Sequence, residues 1–383
     1  MVITHSFLKK NMQQRSILIF ENSIKSEHTR KTYLYHLNKF MKYFEIDDYD
    51  SLAAIGSERM QIMMEDYVMD LKKTLTASSL RVKIAAISTF LECNDIELRW
   101  KKIKRLMPAA SKKTGGEAWT TEDIKTMLSF TTDHRTKALV HFLASTGVRI
   151  GALETLRMGN LTDIEDCKSV LIYEGSPEEY LTFLTPEASQ VVDNYIQKRK
   201  SDGEIIGLNS PVFRSSYQLA STKSKFAASR SLMEIMLRLV NKSQLRDMQF
   251  KIGRRYNKQS DHAFRKRFNV ILKTTPNMNI SLAEKMMGHS VTVVLDNSYL
   301  PINDQTVRDK MFVEFKKAIP ELTIDDTARK QAVIEQKEKE NSELKIVIDE
   351  KDQALLRLSK IEAYIERDKL RAQKIQNQTS PII

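Results

Sequence analysis

Apolar residues recur every three or four positions through most of the first 107 residues, a period that argues for helices rather than strands. Tyr33, Leu34, Leu37, Phe40, Met41 and Phe44 form one stripe, with Ser26 placed to cap it. Met60, Met63, Met64, Tyr67, Val68 and Leu71 form a second, opened by Ser57. Its methionines read as an adaptable core rather than a cofactor site. Leu80, Ile84, Ile87 and Leu91 form a third, opened by Thr76 or Ser78, and a short basic helix holds Trp100, Lys101, Lys102, Lys104 and Arg105. Residues 1–107 are therefore predicted to be an all-helical domain.

The stretch Pro108 to Ala118, with its small residues, paired Gly and paired Lys, is a linker by composition. Thr120 and Asp123 then mark a fresh helix start of the capping-box kind. The second domain, 119–323, is predicted to be helical with a small β insert. Ser169–Tyr173 and Tyr180–Thr185 are β-prone runs around a hairpin loop, and Pro186 opens the next helix at the position where its missing N–H costs nothing. Leu232, Ile235, Met236 and Leu239 give a further helical face.

After Pro320 the chain changes character. Leu344, Ile348, Leu355, Leu358 and Ile365 lie on one helical face among charges of both signs, with Asn341 and Lys351 on the seam. That is an imperfect heptad, so residues 324–383 read as a coiled-coil or solvated helical tail.

Charge separates the same regions. Lys and Arg outnumber Asp and Glu by 61 to 49, a net charge of +12, yet residues 324–383 carry 12 basic and 12 acidic side chains. The whole excess sits in residues 1–323, which points to a polyanionic partner, nucleic acid first. The two cysteines, Cys93 and Cys167, make no disulfide framework or zinc spacing and fit a reducing, cytoplasmic setting. No apolar run approaches the ~20 residues of a membrane span, and Met1–Gln14 lacks the apolar core of a signal peptide. There is no phosphate-binding loop ending in Gly-Lys-Ser/Thr, no zincin helix and no EF-hand loop, so neither ATP, a metal nor any other cofactor is expected.

Three segments of the second domain carry chemistry. In Ser145-Thr146-Gly147-Val148-Arg149, the glycine permits a tight turn and Arg149 follows it with a bidentate fork for phosphate. In Asp261-His262-Ala263-Phe264-Arg265-Lys266, a helix puts His262 and Arg265 on one face and Phe264 on another. An imidazole beside a guanidinium suits proton transfer next to a bound phosphate. In Met286-Met287-Gly288-His289-Ser290, the glycine ends a helix and Ser290 caps the next, holding His289 at the junction. Tyr299 follows ten residues later in a turn-prone frame.

The order Arg, His-x-x-Arg, Gly-His, Tyr resembles the tyrosine recombinase (phage integrase) family over Thr120 to about Pro301. The forms H-A-F-R-K, M-G-H-S and L-D-N-S-Y look most like archaeal integrases, and the helical first domain resembles the family's core-binding domain. The resemblance implies a site-specific recombinase, the integrase of a mobile element, that cuts and rejoins DNA. Tyr299 would attack phosphorus to give a 3′-phosphotyrosyl enzyme and a free 5′-hydroxyl. Arg149 and Arg265 would grip the non-bridging oxygens, His262 would act as base or orient the phosphate, and His289 would hydrogen-bond it. The covalent intermediate conserves the bond energy, so resealing needs no nucleotide.

Two positions depart from the family. Three residues after the first arginine, where the family has an acidic residue, stands Ala152, with Glu154 two residues on. The hairpin Tyr173–Glu179 contains no lysine, the family's acid for the leaving oxygen, and Lys168 precedes the predicted strand. These departures leave open a catalytically weak or inert architectural DNA-binding protein of the same fold. A nicking and sealing topoisomerase of type IB is the other alternative.

The expected partner is double-stranded DNA, gripped between the two domains. Lys101, Lys102, Lys104, Arg105, Lys112, Lys113, Arg254, Arg255 and Lys258 are candidate phosphate contacts, which position a protein without specifying sequence. His28, Arg30 and Lys31 begin the first long helix and are within reach of bases. The resemblance further implies a homotetramer on synapsed DNA whose protomers exchange a C-terminal element. Val307–Ala318 and the heptad tail are the candidates for that exchange.

Overall fold

The computed structural model describes residues 14–109, 116–215, 224–246, 251–252, 255–289 and 304–378. The chain forms two compact units, Met1–Thr114 and Gly115–Ile383.

The first unit is helical: α1 (Arg15–Ser23), α2 (Glu27–Tyr43), α3 (Tyr49–Ala53), α4 (Ser57–Leu71), α5 (Ala77–Cys93) and α6 (Trp100–Leu106). Local cap chemistry sets several of the starts. The Ser26 and Thr76 side chains accept from Thr29 N and Ser79 N. Burying the stripes then holds the helices together. Phe20, Phe40, Met60, Met64 and Phe90 are fully buried in one core, and Phe20 meets Phe90 edge-on at 5.7 Å. Met60, Met63 and Met64 of α4 are core, as their spacing predicted.

In the second unit α7 (Thr121–Ser129) opens on the expected capping box, with Thr120 N donating to Asp123 at 2.9 Å and Asp123 N to the Thr120 hydroxyl at 3.1 Å. Helix α8 (His134–Thr146) is almost wholly buried, and two 3-10 turns, Ile150–Glu154 and Met158–Asn160, follow it. Three antiparallel strands come next, β1 (Leu161–Ile164), β2 (Cys167–Ile172) and β3 (Tyr180–Leu184), in the order β1-β2-β3 with Val170 opposite Leu161 and Ile172 opposite Tyr180. The β2–β3 hairpin is the one the sequence predicts. Strand β1 was not foreseen, and β2 begins one residue before Lys168, so that lysine lies inside the strand.

Helix α9 (Pro186–Ser201) has Thr185 as its cap and Pro186 in its first turn. After it come α10 (Ser229–Lys242), a two-residue ladder of β4 (Lys251–Ile252) with β5 (Arg255–Tyr256), α11 (His262–Thr274), α12 (Ile280–Met286), α13 (Gln305–Leu322) and α14 (Asp326–Gln378).

Helix α13 packs into the core of the second unit. Val307, Met311, Phe312, Phe315 and Ala318 are buried within their own unit, in the core that also holds Phe183, Phe268 and Met286. Phe183 lies 5.4 Å from Phe312 and 5.2 Å from Phe315 between ring centres. In this single chain the apolar face of Val307–Ala318 is covered by its own unit. Beyond it, Ile324 N and Asp325 N donate to Glu187 at 2.7 and 3.0 Å, and Asp326 pairs with Lys125 at 2.6 Å. The start of the tail is thus tied to the second unit. Further along α14, Leu344, Ile348, Leu355, Leu358 and Ile365 are exposed.

Candidate active site

The site begins where α8 stops. Gly147 closes the helix in the left-handed region, at φ 59°, and its N–H returns to Leu143 O at 3.0 Å. A Cβ at this position would meet the Phe268 ring within 2.7–2.8 Å, so only glycine fits. Val148 and Ile150 anchor the turn in the core, and Arg149 between them projects to the surface.

Helix α11 supplies the second arginine. Phe264 and Phe268 are fully buried and fix the helix. Arg265, only 4% exposed, donates from Nη1 to Gly147 O at 2.9 Å and from Nη2 to Met287 O. One guanidinium therefore ties the turn carrying Arg149 to the junction carrying His289. His262 stands one turn earlier, at the exposed start of α11. It lines a recess of about 210 Å³ with Arg149, Asp261 and Arg265. Partial desolvation, reinforced by the charges of Lys266, Arg265 and Arg149, holds its imidazole below the usual histidine range. That direction favours the neutral imidazole, the form that can accept a proton.

Gly288 follows the end of α12, as the sequence predicts, whereas Ser290 and the helix it was expected to cap lie outside the described residues. Gly288 takes φ 58° and sits so close beneath the Tyr180 ring that a Cβ would collide with it. His289 Nδ1 pairs with Glu284 at 2.6 Å, and the other Glu284 oxygen binds Lys273 at 2.5 Å. Burial alone would raise the Glu284 carboxyl, but Lys273 and His289 hold it below its ordinary range. A carboxylate on Nδ1 leaves Nε2 facing the opposite way. Sequence reasoning missed Glu284, whose only signal was its place five residues before the histidine on the same helix end.

Arg149 and His289 line a cleft of about 800 Å³, shared with Tyr173, Tyr180, Glu284 and Lys285. The Tyr180 hydroxyl is buried beside the Arg265 guanidinium, and burial pushes its pKa up to about 12, with Arg265 pulling the other way. The structure thus brings Arg149, His262, Arg265 and His289 together. Tyr299 lies outside the described residues, as do Lys112, Lys113 and Arg254.

The remaining sequence candidates are distributed as follows. On α6, Ile103 is buried, while Lys101, Lys102, Lys104 and Arg105 are exposed, with Lys102 paired to Glu65 at 2.8 Å. Arg255 falls in β5. Lys258 is engaged within the protein, 2.6 Å from Asp123 and 5.5 Å from the centre of the Trp119 ring. Arg30 and Lys31 pair with Glu27 at 3.9 and 2.9 Å. Ala152 is buried, and Glu154 is turned away to accept from Ser229 N at 3.3 Å. Lys168 is held by Asp163 at 2.5 Å and Asp193 at 3.1 Å.

Comparison with known proteins decides the family. Residues 117–306 match the phage integrase family, and residues 18–93 match the phage integrase N-terminal SAM-like domain. The chain belongs to the phage integrase family. It is accordingly a site-specific recombinase, an enzyme that breaks and rejoins DNA. Among solved structures, it is similar to the XerH site-specific recombinase bound to difH substrate, at 16% identity over 68% of this chain and 74% of that one, with a TM-score of 0.48. It is also similar to a lambda integrase(75-356) dimer bound to a COC′ core site, at 14% identity over 77% and 94%, TM-score 0.47. The Tn1549 transposon integrase in complex with a circular intermediate DNA matches at 15% identity over 79% and 100%, TM-score 0.47. No curated protein matches the chain. No helix among the described residues is long and apolar enough to cross a membrane.

Proposed function

We propose that this recombinase cuts one DNA strand at a time through Tyr299, forming a 3′-phosphotyrosyl intermediate and a free 5′-hydroxyl. Arg149 and Arg265 bind the non-bridging phosphate oxygens and neutralise the charge that grows on them at the transition state. His262 accepts the tyrosine proton, and His289, oriented by Glu284, hydrogen-bonds the phosphate. A 5′-hydroxyl from a second strand then reverses the chemistry and completes exchange. The observation that supports this reading is the Arg265 bridge from Gly147 to Met287, which ties the turn bearing Arg149 to the helix end bearing His289.

Residues 1–107 act as the core-binding domain, 108–118 as a linker, 119–323 as the catalytic domain and 324–383 as the assembly tail. Lys101, Lys104 and Arg105, exposed on α6, contact phosphates. The enzyme works in the cytoplasm as a tetramer on synapsed DNA, serving a mobile element of archaeal type. The exposed apolar face of α14 supports a coiled coil with other copies of the chain.

A weaker alternative, an inert DNA-binding relative, draws support from the buried Ala152 and the lysine-free hairpin. Incubation with randomly nicked source DNA separates the two. The proposal requires denaturant-resistant protein–DNA adducts that vanish with Tyr299→Phe. A protein that binds DNA and yields no adduct is the inert relative.

A further inference from the structure

Breaking the P–O5′ bond expels an alkoxide, a leaving group far more basic than any side chain, so a proton donor accelerates the step by about 10²–10⁴-fold. The roles assigned above include no such donor. Lys168, on β2, is bound by the carboxylates of Asp163 on β1 and Asp193 on α9. Three residues of the cleft holding Arg149 and His289 carry a proton of suitable strength: Tyr173, Tyr180 and Lys285. Tyr180 is 4% exposed and Lys285 is 5% exposed, whereas Tyr173 is only half-buried.

Tyr173 also has an unusual placement. It is the first residue after β2, at φ 55°, a conformation rare for a residue with a side chain and held only where its surroundings fix it. Its carbonyl accepts from Ser176 N at 3.0 Å, and its ring meets Tyr180 edge-on at 6.3 Å. The hairpin thus turns a phenol into the cleft at the point where the chain leaves the sheet.

We propose that Tyr173 is the acid that protonates the leaving 5′-oxygen. The proposal rests on the phosphotyrosyl reading above. In the forward step the Tyr299 oxygen bonds to phosphorus as its proton passes to His262. The P–O5′ bond breaks, and the Tyr173 proton moves to O5′. The reverse step returns each proton, with the Tyr173 phenolate acting as base toward the incoming 5′-hydroxyl. Burial, with Glu178, raises the phenol's pKa and keeps it protonated at neutral pH. Arg149 and Arg265 pull the other way and stabilise the phenolate left behind.

The test uses the full chain and a duplex bearing the site recovered from mapped adducts. The duplex carries either oxygen or sulfur at the bridging 5′-position of the scissile phosphate. A thiolate leaves without protonation. Tyr173→Phe keeps the ring and its packing. It should slow adduct formation by about 10²-fold or more on the oxygen substrate and restore near wild-type rates on the sulfur substrate. Equal losses on both substrates would reduce Tyr173 to a packing role, and no loss on oxygen would remove it from the reaction. Sulfur rescue of Lys285→Met in place of Tyr173→Phe would assign the proton to Lys285 and overturn the proposal. If the wild type forms no adduct with either substrate, the phosphotyrosyl reading itself fails and takes this inference with it.

Discussion

Gly147 joins the two arginines of the site, and replacing it with alanine tests that junction quantitatively. Its φ of 59° is left-handed, and a Cβ there would stand 2.6 Å from Phe268 Cβ and 2.7 Å from Cδ1. Phe268 is fully buried, so it has no open space to enter. The left-handed backbone costs an alanine roughly 1–2 kcal/mol, and overpacking adds about 1–3 kcal/mol. Gly147→Ala should therefore lose about 2–5 kcal/mol in all. Gly175 provides the control. It is also left-handed, at φ 74°, but nothing lies within 4 Å of its added Cβ. Gly175→Ala should show only the backbone cost, about 1–2 kcal/mol. Urea unfolding followed by the fluorescence of Trp119, which is 1% exposed, reports on the second unit once Trp100 is replaced by Phe. If Gly147→Ala proves no less stable than Gly175→Ala, the Phe268 contact does not constrain the turn and the steric argument is wrong.

Three further outcomes follow from the site and the tail. Glu284→Gln removes the charge on His289 Nδ1 and should slow single-turnover adduct formation by about 10²-fold through misplacement of the ring; adding His289→Ala should cost little more, because both act through one interaction. As the proposed base, His262 must be neutral to act, so the rate should fall as pH drops through its depressed pKa, below the ordinary 6.5, and stay flat above it. Burial is the larger cause of that depression, but Lys266→Met removes the strongest like-charge contribution and should move the acid limb upward toward 6.5. Removal of residues 331–378, which leaves the Glu187 and Lys125 contacts of Ile324–Asp326 intact, should weaken self-association in sedimentation more than it weakens single-site DNA affinity.

Cap chemistry made the helix starts legible in the sequence, because a cap is a contact between residues three apart. Ser26, Thr76, Thr120 with Asp123, and Pro186 each stand where the residue types alone place them. Helix α1 escaped notice because it is short and Gln14 makes no side-chain cap. Strand β1 escaped because its two central residues, Thr162 and Asp163, are exposed, leaving little apolar signal.

The site was legible as motifs but not as a network. Spacing indicated that His262 and Arg265 share a helix and that Gly288 ends another. It could not disclose that Arg265 turns inward to two backbone carbonyls 118 and 22 residues away in sequence. Nor could it disclose that Glu284 holds His289, or that Glu154 turns toward α10. Helix α13 shows the same limit from the other side. Its apolar stripe is plain in the sequence, but whether a stripe meets its own domain or a second copy is a tertiary fact.

The central claim is that Tyr299 serves the phosphate held by Arg149, Arg265 and the two histidines. Its most direct test is to trap the protein on cleaved DNA, digest the adduct with trypsin and identify the attached peptide by mass spectrometry. The account predicts a single DNA-linked peptide, residues 286–308, joined through Tyr299 to a 3′-phosphate, with a free 5′-hydroxyl on the released strand. Attachment through another tyrosine, or to a 5′-phosphate, would contradict it.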